Sequence, residues 1–185
     1  DCGKCVDTSM GITPLEGVIM GTRSGSMDPA VVQYIANNDH MTVDEVLNMC
    51  NKKSGLLGIS GLRRDMRDID AAADAGDKDA ILARDMLIYG IQKYIGSYMA
   101  ALQGADAIIF TAGIGENNAH LRQRVIEGFG YMGIKLDEAK NEACTAPNVK
   151  ETIISTPDST VKVIVIPTNE EIMIARDTLE LVEKA

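Results

Sequence analysis

The sequence predicts an α/β fold in which strands alternate with helices, and three stretches carry that reading. Ala107 to Thr111 is a short apolar run with two β-branched isoleucines, the length of a strand buried on both faces. Val161 to Ile166 is a second continuous apolar run, and a helical pattern follows each of the two. Between Asp77 and Gly104, Leu87, Ile91, Tyr94, Ile95, Tyr98, Met99 and Leu102 recur at three- and four-residue steps, as on one long helix.

The 185 residues are 45% hydrophobic and 24% charged, an ordinary globular profile that suits one domain over residues 1–185. A net charge of −9 repels nucleic acid and anionic membrane surfaces, so neither is an expected partner. An anionic substrate would need locally concentrated arginine or backbone N–H groups. The N-terminus resembles neither a signal nor a transit peptide, and no apolar run reaches membrane-spanning length, which points to the cytoplasm. Cys2 and Cys5 have the spacing of half a zinc site or a redox pair. A second close pair is missing, so free thiols are the better reading for these and for Cys50 and Cys144.

In chain order, a short strand precedes Asp7-Thr8-Ser9-Met10-Gly11. Gly21-Thr22-Arg23-Ser24-Gly25 then sets one arginine in a permissive loop, suited to presenting a guanidinium to an anion or simply solvated. Asp28-Pro29 opens a helix carrying Val31, Val32, Tyr34 and Ile35, and Thr42 with Glu45 forms a capping box for the next, which buries Val46, Leu47 and Cys50. Ser54 to Leu62 is short, apolar and broken by glycine. Asp65 caps a further helix; Arg67 in its first turn opposes the helix dipole, so it either pairs with an acidic neighbour or serves a ligand. Asp77 opens the long helix, ~40 Å at 1.5 Å per residue, whose tyrosines and methionines read as core or subunit contact.

At the central motif, Gly113 and Gly115 turn the chain after the strand, and Glu116, Asn117 or Asn118 caps a helix burying Leu121, Val125, Ile126 and Phe129. A strand, a glycine turn and a helix make a ligand crevice in α/β proteins, although Gly113-x-Gly115 lacks the third glycine of the dinucleotide fingerprint. A tight turn and a short helix follow in 130–141, then loops at Ala146-Pro147-Asn148 and Thr156-Pro157-Asp158 around a strand at Thr152–Ser155. After the strand 161–166, Thr168 and Glu171 have the spacing of a capping box. That leaves Glu170 to hold Mg²⁺ at the strand's carboxyl end or to act as a second dipole-stabilising acid.

With these stretches in place, the sequence resembles the acetate kinase family. Asp7 to Gly17, Met20-Gly21-Thr22-Arg23-Ser24-Gly25 and Asp28-Pro29 look like that family's second signature. Asp65-Met66-Arg67, Thr111 to Asn117 and Pro167-Thr168-Asn169-Glu170-Glu171 match further motifs in the family's order. One departure is Ser26-Met27, where the family usually reads Asp-Ile. The resemblance covers only the family's C-terminal half and lacks its His-Gly-Thr-Ser-His motif, so the chain is expected to be one half of a longer enzyme. It implies an actin-like, ribonuclease-H-like domain, a mixed sheet flanked by helices with an inserted helical segment.

By the same resemblance the activity is ATP + acetate ⇌ ADP + acetyl phosphate, with Mg²⁺, in a homodimer. Arg23 would be catalytic. Asp65, Met66 and Arg67 with Gly113, Ile114, Gly115, Glu116 and Asn117 would line the nucleotide, and Glu170 would serve the metal. Propionate kinase, a pyrophosphate-using relative, and a non-catalytic module that only binds nucleotide and dimerises are the alternatives.

Overall fold

The computed structural model describes residues 2–61 and 63–184; Asp1, Leu62 and Ala185, and with Leu62 the end of the expected 54–62 segment, lie outside the described residues. The chain divides into two compact units, Asp1–Gly104 and Ala105–Ala185.

The first unit is helical: α1 (Ala30–Asn38), α2 (Val43–Lys52), α3 (Gly55–Ser60), α4 (Met66–Asp74) and α5 (Lys78–Ala101). Each start has a chemical cause. Asp28 Oδ1 accepts the Ala30 N–H at 2.9 Å beside Pro29. Thr42 and Glu45 form the reciprocal box, the Thr42 N–H donating to Glu45 Oε2 at 2.8 Å. Asp65 Oδ1 accepts the Arg67 N–H, and Asp77 Oδ1 accepts those of Asp79 and Ala80.

The core of this unit is where α5 packs on α3 and α4. Buried Ala72, Ala73 and Ala80 let the helices approach closely with Ile81 packed against them, and Ile69, Leu87 and Ile88 are buried on the same two helices. Buried Arg84 of α5 reaches Asp74 at 2.9 Å and Asp70 at 3.6 Å on α4, a paired charge rather than an isolated one. Of the α5 residues expected inside, Leu87 and Met99 are buried and Leu102 is exposed, while Tyr94 and Tyr98 are half-buried. Leu47, expected inside on α2, is also exposed. The strand expected before Asp7 is not formed among the described residues; residues 4–8 are exposed and irregular, with no neighbouring strand to take their backbone groups.

The second unit holds a three-stranded mixed sheet in the order β1 (Ala107–Phe110), β3 (Lys162–Val165), β2 (Thr152–Ile153). β1 runs parallel to β3, with Phe110 opposite Val165, and β2 runs antiparallel to β3. Helices α6 (Ala112–Asn117), α7 (Ala119–Glu127), α8 (Glu138–Ala143) and α9 (Glu170–Glu183) complete the unit. The core gathers Ile108, Phe110, Leu121, Val125, Ile126, Phe129, Val163 and Val165, including the whole apolar face expected of α7.

Three expectations are corrected here. β1 is an edge strand of this sheet and is not buried on both faces, for Ile109 is 53% exposed. The chain turns after β1 at Ala112, whose φ is +59°, while Gly113 and Gly115 lie inside the short helix α6. Thr168 and Glu171 do not form a capping box: Asn169 caps α9 by accepting the Ile172 N–H at 3.1 Å, because the Thr168 hydroxyl is already engaged with Glu116.

Candidate functional site

Two groups of candidate residues stand out, one in each unit. In the first, the loop 20–25 is clipped between two helix ends. The last turn of α2 leaves carbonyls without helical partners; that of Cys50 accepts the Ser24 N–H at 2.9 Å and that of Asn51 accepts the Thr22 hydroxyl at 2.9 Å. The first turn of α3 leaves N–H groups without partners; Leu56 and Leu57 donate to the Met20 and Gly21 carbonyls, both at 2.9 Å. The loop is therefore a built element, although its sequence reads as permissive.

Gly55 makes this fit possible. Its φ is +60°, and a Cβ there would lie 2.1 Å from the Met20 carbonyl oxygen and 2.5 Å from that of Arg23.

Arg23 is half-buried on this loop, with Nη1 3.7 Å from Met20 Sδ. It lines a cavity of about 710 Å³ with Met20, Gly21, Thr22, Asn48, Asn51, Lys52, Arg64 and Asp65. That is the size of a small-molecule site. Three cations, Arg23, Lys52 and Arg64, share the lining with one carboxylate, the local positive field that an anionic ligand needs in a chain of net charge −9.

The structure thus brings Arg23 and Asp65 to one cavity, with Arg67 on its neighbour. Arg67 is 89% exposed and clasps Asp65 along one guanidinium edge, Nη2 donating to Oδ2 at 2.7 Å and Nε to Oδ1 at 3.0 Å. Its sign conflict with the helix dipole is answered by that pair, which holds the Asp65 carboxyl down to about 2. Met66 is buried, so its side chain serves the core. Lys52, Arg64 and the two asparagines were not singled out by sequence, because helix and loop polar residues give no signal until the fold places them on one wall.

In the second unit, β1 and β3 are parallel neighbours, so the segments leaving their carboxyl ends emerge at the same end of the sheet. These segments are the 111–117 turn with α6, and Pro167 to Glu170 at the start of α9. Glu116 joins them: Oε1 accepts the Thr168 N–H at 2.8 Å and the Thr168 hydroxyl at 2.5 Å. These two donors hold the Glu116 carboxyl below its usual range.

Of the expected residues here, Gly113, Ile114 and Asn117 are exposed on α6, with Asn117 Nδ2 donating to the Gly113 carbonyl at 3.0 Å. Gly115 packs close to the backbone of Phe110, where a Cβ would come within 3.4 Å. Glu170 is exposed in the first turn of α9. No group of three or more potential metal-binding side chains exists among the described residues. Mg²⁺ commonly takes only one or two carboxylates together with waters and ligand phosphates, and an exposed Glu170 fits that demand.

Fold and site define a mixed α/β protein with a cationic cavity in one unit and, in the other, two strand-end segments joined at their start. The chain belongs to the acetokinase family, whose profile matches residues 1–176. It is 55% identical over 181 residues to an acetate kinase of Acetivibrio thermocellus, covering 98% of this chain and 44% of the relative. It is 54% identical to an acetate kinase of Methanosarcina barkeri, covering 98% and 43%.

The crystal structure of Porphyromonas gingivalis acetate kinase superposes with a TM-score of 0.90 at 44% identity, over 97% of this chain and 44% of that one. A propionate kinase from Francisella tularensis gives 0.85 at 44% identity, over 94% and 43%. The chain therefore spans less than half the length of the relatives it matches.

Proposed function

We propose that this chain supplies the nucleotide-binding half of the cleft of an acetate kinase, which transfers the γ-phosphoryl group of ATP to acetate, reversibly, to give ADP and acetyl phosphate. In this reading residues 1–185 act as one domain of that enzyme. The observation that carries it is Arg23, on a loop clipped to two helix ends and lining a cationic cavity, in a chain whose family match runs through residue 176.

Phosphoryl transfer to a carboxylate passes through a transition state whose charge spreads over three equatorial oxygens, so positioning and cationic stabilisation supply most of the rate. Arg23 presents a planar fork to those oxygens, and its anchored backbone spares it reorganisation as charge develops. Asp65, Met66 and Arg67, with Gly113 to Asn117, bind and orient the nucleotide, Met66 through its backbone. When bound, Mg²⁺ neutralises phosphate charge, and Glu170 is the residue that would hold it.

The test is acetyl phosphate formation, trapped with hydroxylamine, by a full-length acetate kinase carrying this segment. ATP-dependent acetyl phosphate is the expected product; pyrophosphate supporting turnover in place of ATP would overturn the nucleotide reading. The Francisella neighbour supports a second reading, propionate kinase, and faster turnover of propionate than acetate would favour it. By itself the chain is expected to bind Mg-ADP weakly and to form no acetyl phosphate.

The enzyme acts in the cytoplasm as a homodimer. Leu82, Met86 and Tyr89 support the dimer, for they form an exposed apolar row on α5.

A further inference from the structure

Arg122 is 0% exposed, the largest fully buried side chain among the described residues, and the function described above does not use it. All five of its N–H groups are spent on neutral oxygens. Nη1 donates to the carbonyls of Gly115 at 2.9 Å and Glu116 at 2.7 Å. Nη2 donates to those of Asn141 at 2.7 Å and Cys144 at 2.8 Å, and Nε donates to Asn141 Oδ1 at 2.7 Å. Burial lowers the guanidinium's pKa, yet arginine stays charged in proteins.

Helix α6 cannot hold its own shape. It has six residues, two of them glycine, no buried residue, and no side-chain cap at Thr111. Such a segment is far too short to persist alone. Three of its last four carbonyls have partners: that of Ile114 accepts the Asn118 N–H, and those of Gly115 and Glu116 accept from Arg122. The same guanidinium closes the end of α8 through the Asn141 and Cys144 carbonyls, and Asn141 Nδ2 ties back to the Ala119 carbonyl at 2.8 Å.

We propose that Arg122 is a positioning residue that sets the backbone of the 112–117 segment and, through the Glu116 carbonyl, aims the Glu116 carboxylate at Thr168. Its bearing on ligand rests on the reading that this segment lines the nucleotide; its bearing on the segment's shape does not. Lysine is a poor substitute, because its three donors radiate from one nitrogen while the carbonyls lie on two sides of a planar fork.

The experiment compares Arg122→Lys with Ile126→Ala, a truncation of a buried apolar residue on the same helix, in a full-length acetate kinase carrying this segment. Melting, amide exchange and titration with Mg-ADP are read on both. Arg122→Lys is expected to speed exchange across residues 112–117 and to weaken Mg-ADP binding by about ten-fold or more, since two part-buried carbonyls of that segment lose their donors. Ile126→Ala, even with an equal or larger drop in melting temperature, should leave both near wild type.

Exchange in 112–117 that is unchanged, or that rises equally through α7 and α8, overturns the proposal. If the unmodified full-length enzyme does not bind Mg-ADP at millimolar concentration, the nucleotide reading fails and the exchange comparison alone decides. Should Arg122→Lys not fold, Asn141→Ala, which removes the Nε acceptor and the Ala119 tie, must speed exchange in 112–117 for the proposal to stand.

Discussion

Glu116 and Thr168 hold each other across the carboxyl ends of two parallel strands, the carboxylate of one accepting both the amide and the hydroxyl of the other. The residue expected to touch nucleotide thus also fixes the start of the helix that carries Glu170. Its carboxyl pKa is lowered by these bonds, so their stabilisation is present above the unfolded value, about 4.3, and is lost as pH falls through the lower folded value. Glu116→Gln keeps an acceptor but does not titrate. The melting-temperature gap between wild type and Glu116→Gln should be widest at neutral pH and close below about pH 4; a gap that stays constant down to pH 3 contradicts the linkage.

Gly55→Ala should be among the most damaging small substitutions in the first unit. A left-handed alanine costs about 1–2 kcal/mol, and its Cβ would meet two loop carbonyls, so denaturant unfolding should show a loss of at least about 2 kcal/mol. Wild-type stability would mean that the loop carrying Arg23 is not held as described.

At the start of α9, Asn169→Ala should cost about 1 kcal/mol, because it removes the cap, and Glu171→Ala should cost little. Glu170→Ala should leave melting nearly unchanged and, in a full-length enzyme carrying this segment, raise the Mg²⁺ requirement. A raised requirement in Glu171→Ala instead would exchange the two roles.

Assembly is checked by sedimentation of the same full-length enzyme. A dimer at micromolar concentration is expected, and Tyr89→Glu, which places a charge in the exposed row on α5, should weaken it. A monomer at that concentration would remove the claim.

Most of the helix starts were legible because a cap is a local device: Asp28, Thr42 with Glu45, Asp65 and Asp77 each bond within three residues. The Thr168–Glu171 box has the same sequence signature and fails. A partner 52 residues away competes for the Thr168 hydroxyl, and spacing cannot register that. The Arg23 loop reads as permissive for a similar reason, since its anchors are backbone groups of helices that carry no side-chain signature. Arg122 left one trace, at three- and four-residue steps from Val125 and Ile126 on the apolar face of α7. A charge at that position signals a buried hydrogen-bonded group.

The central claim is that Arg23 acts on the transferring phosphoryl group, and the most direct test is kcat of Arg23→Ala in a full-length acetate kinase carrying this segment. An interaction made in the transition state should lower kcat more than it raises the nucleotide KM, by about 10³-fold, the order of an arginine finger. Arg23→Lys should recover little. Melting should hardly move, because the loop is anchored through its backbone and the Thr22 hydroxyl, while among the described residues the guanidinium's hydrogen-bond contact is to the Met20 sulfur. Wild-type kcat in Arg23→Ala, or loss of activity only in step with unfolding, would contradict the assignment.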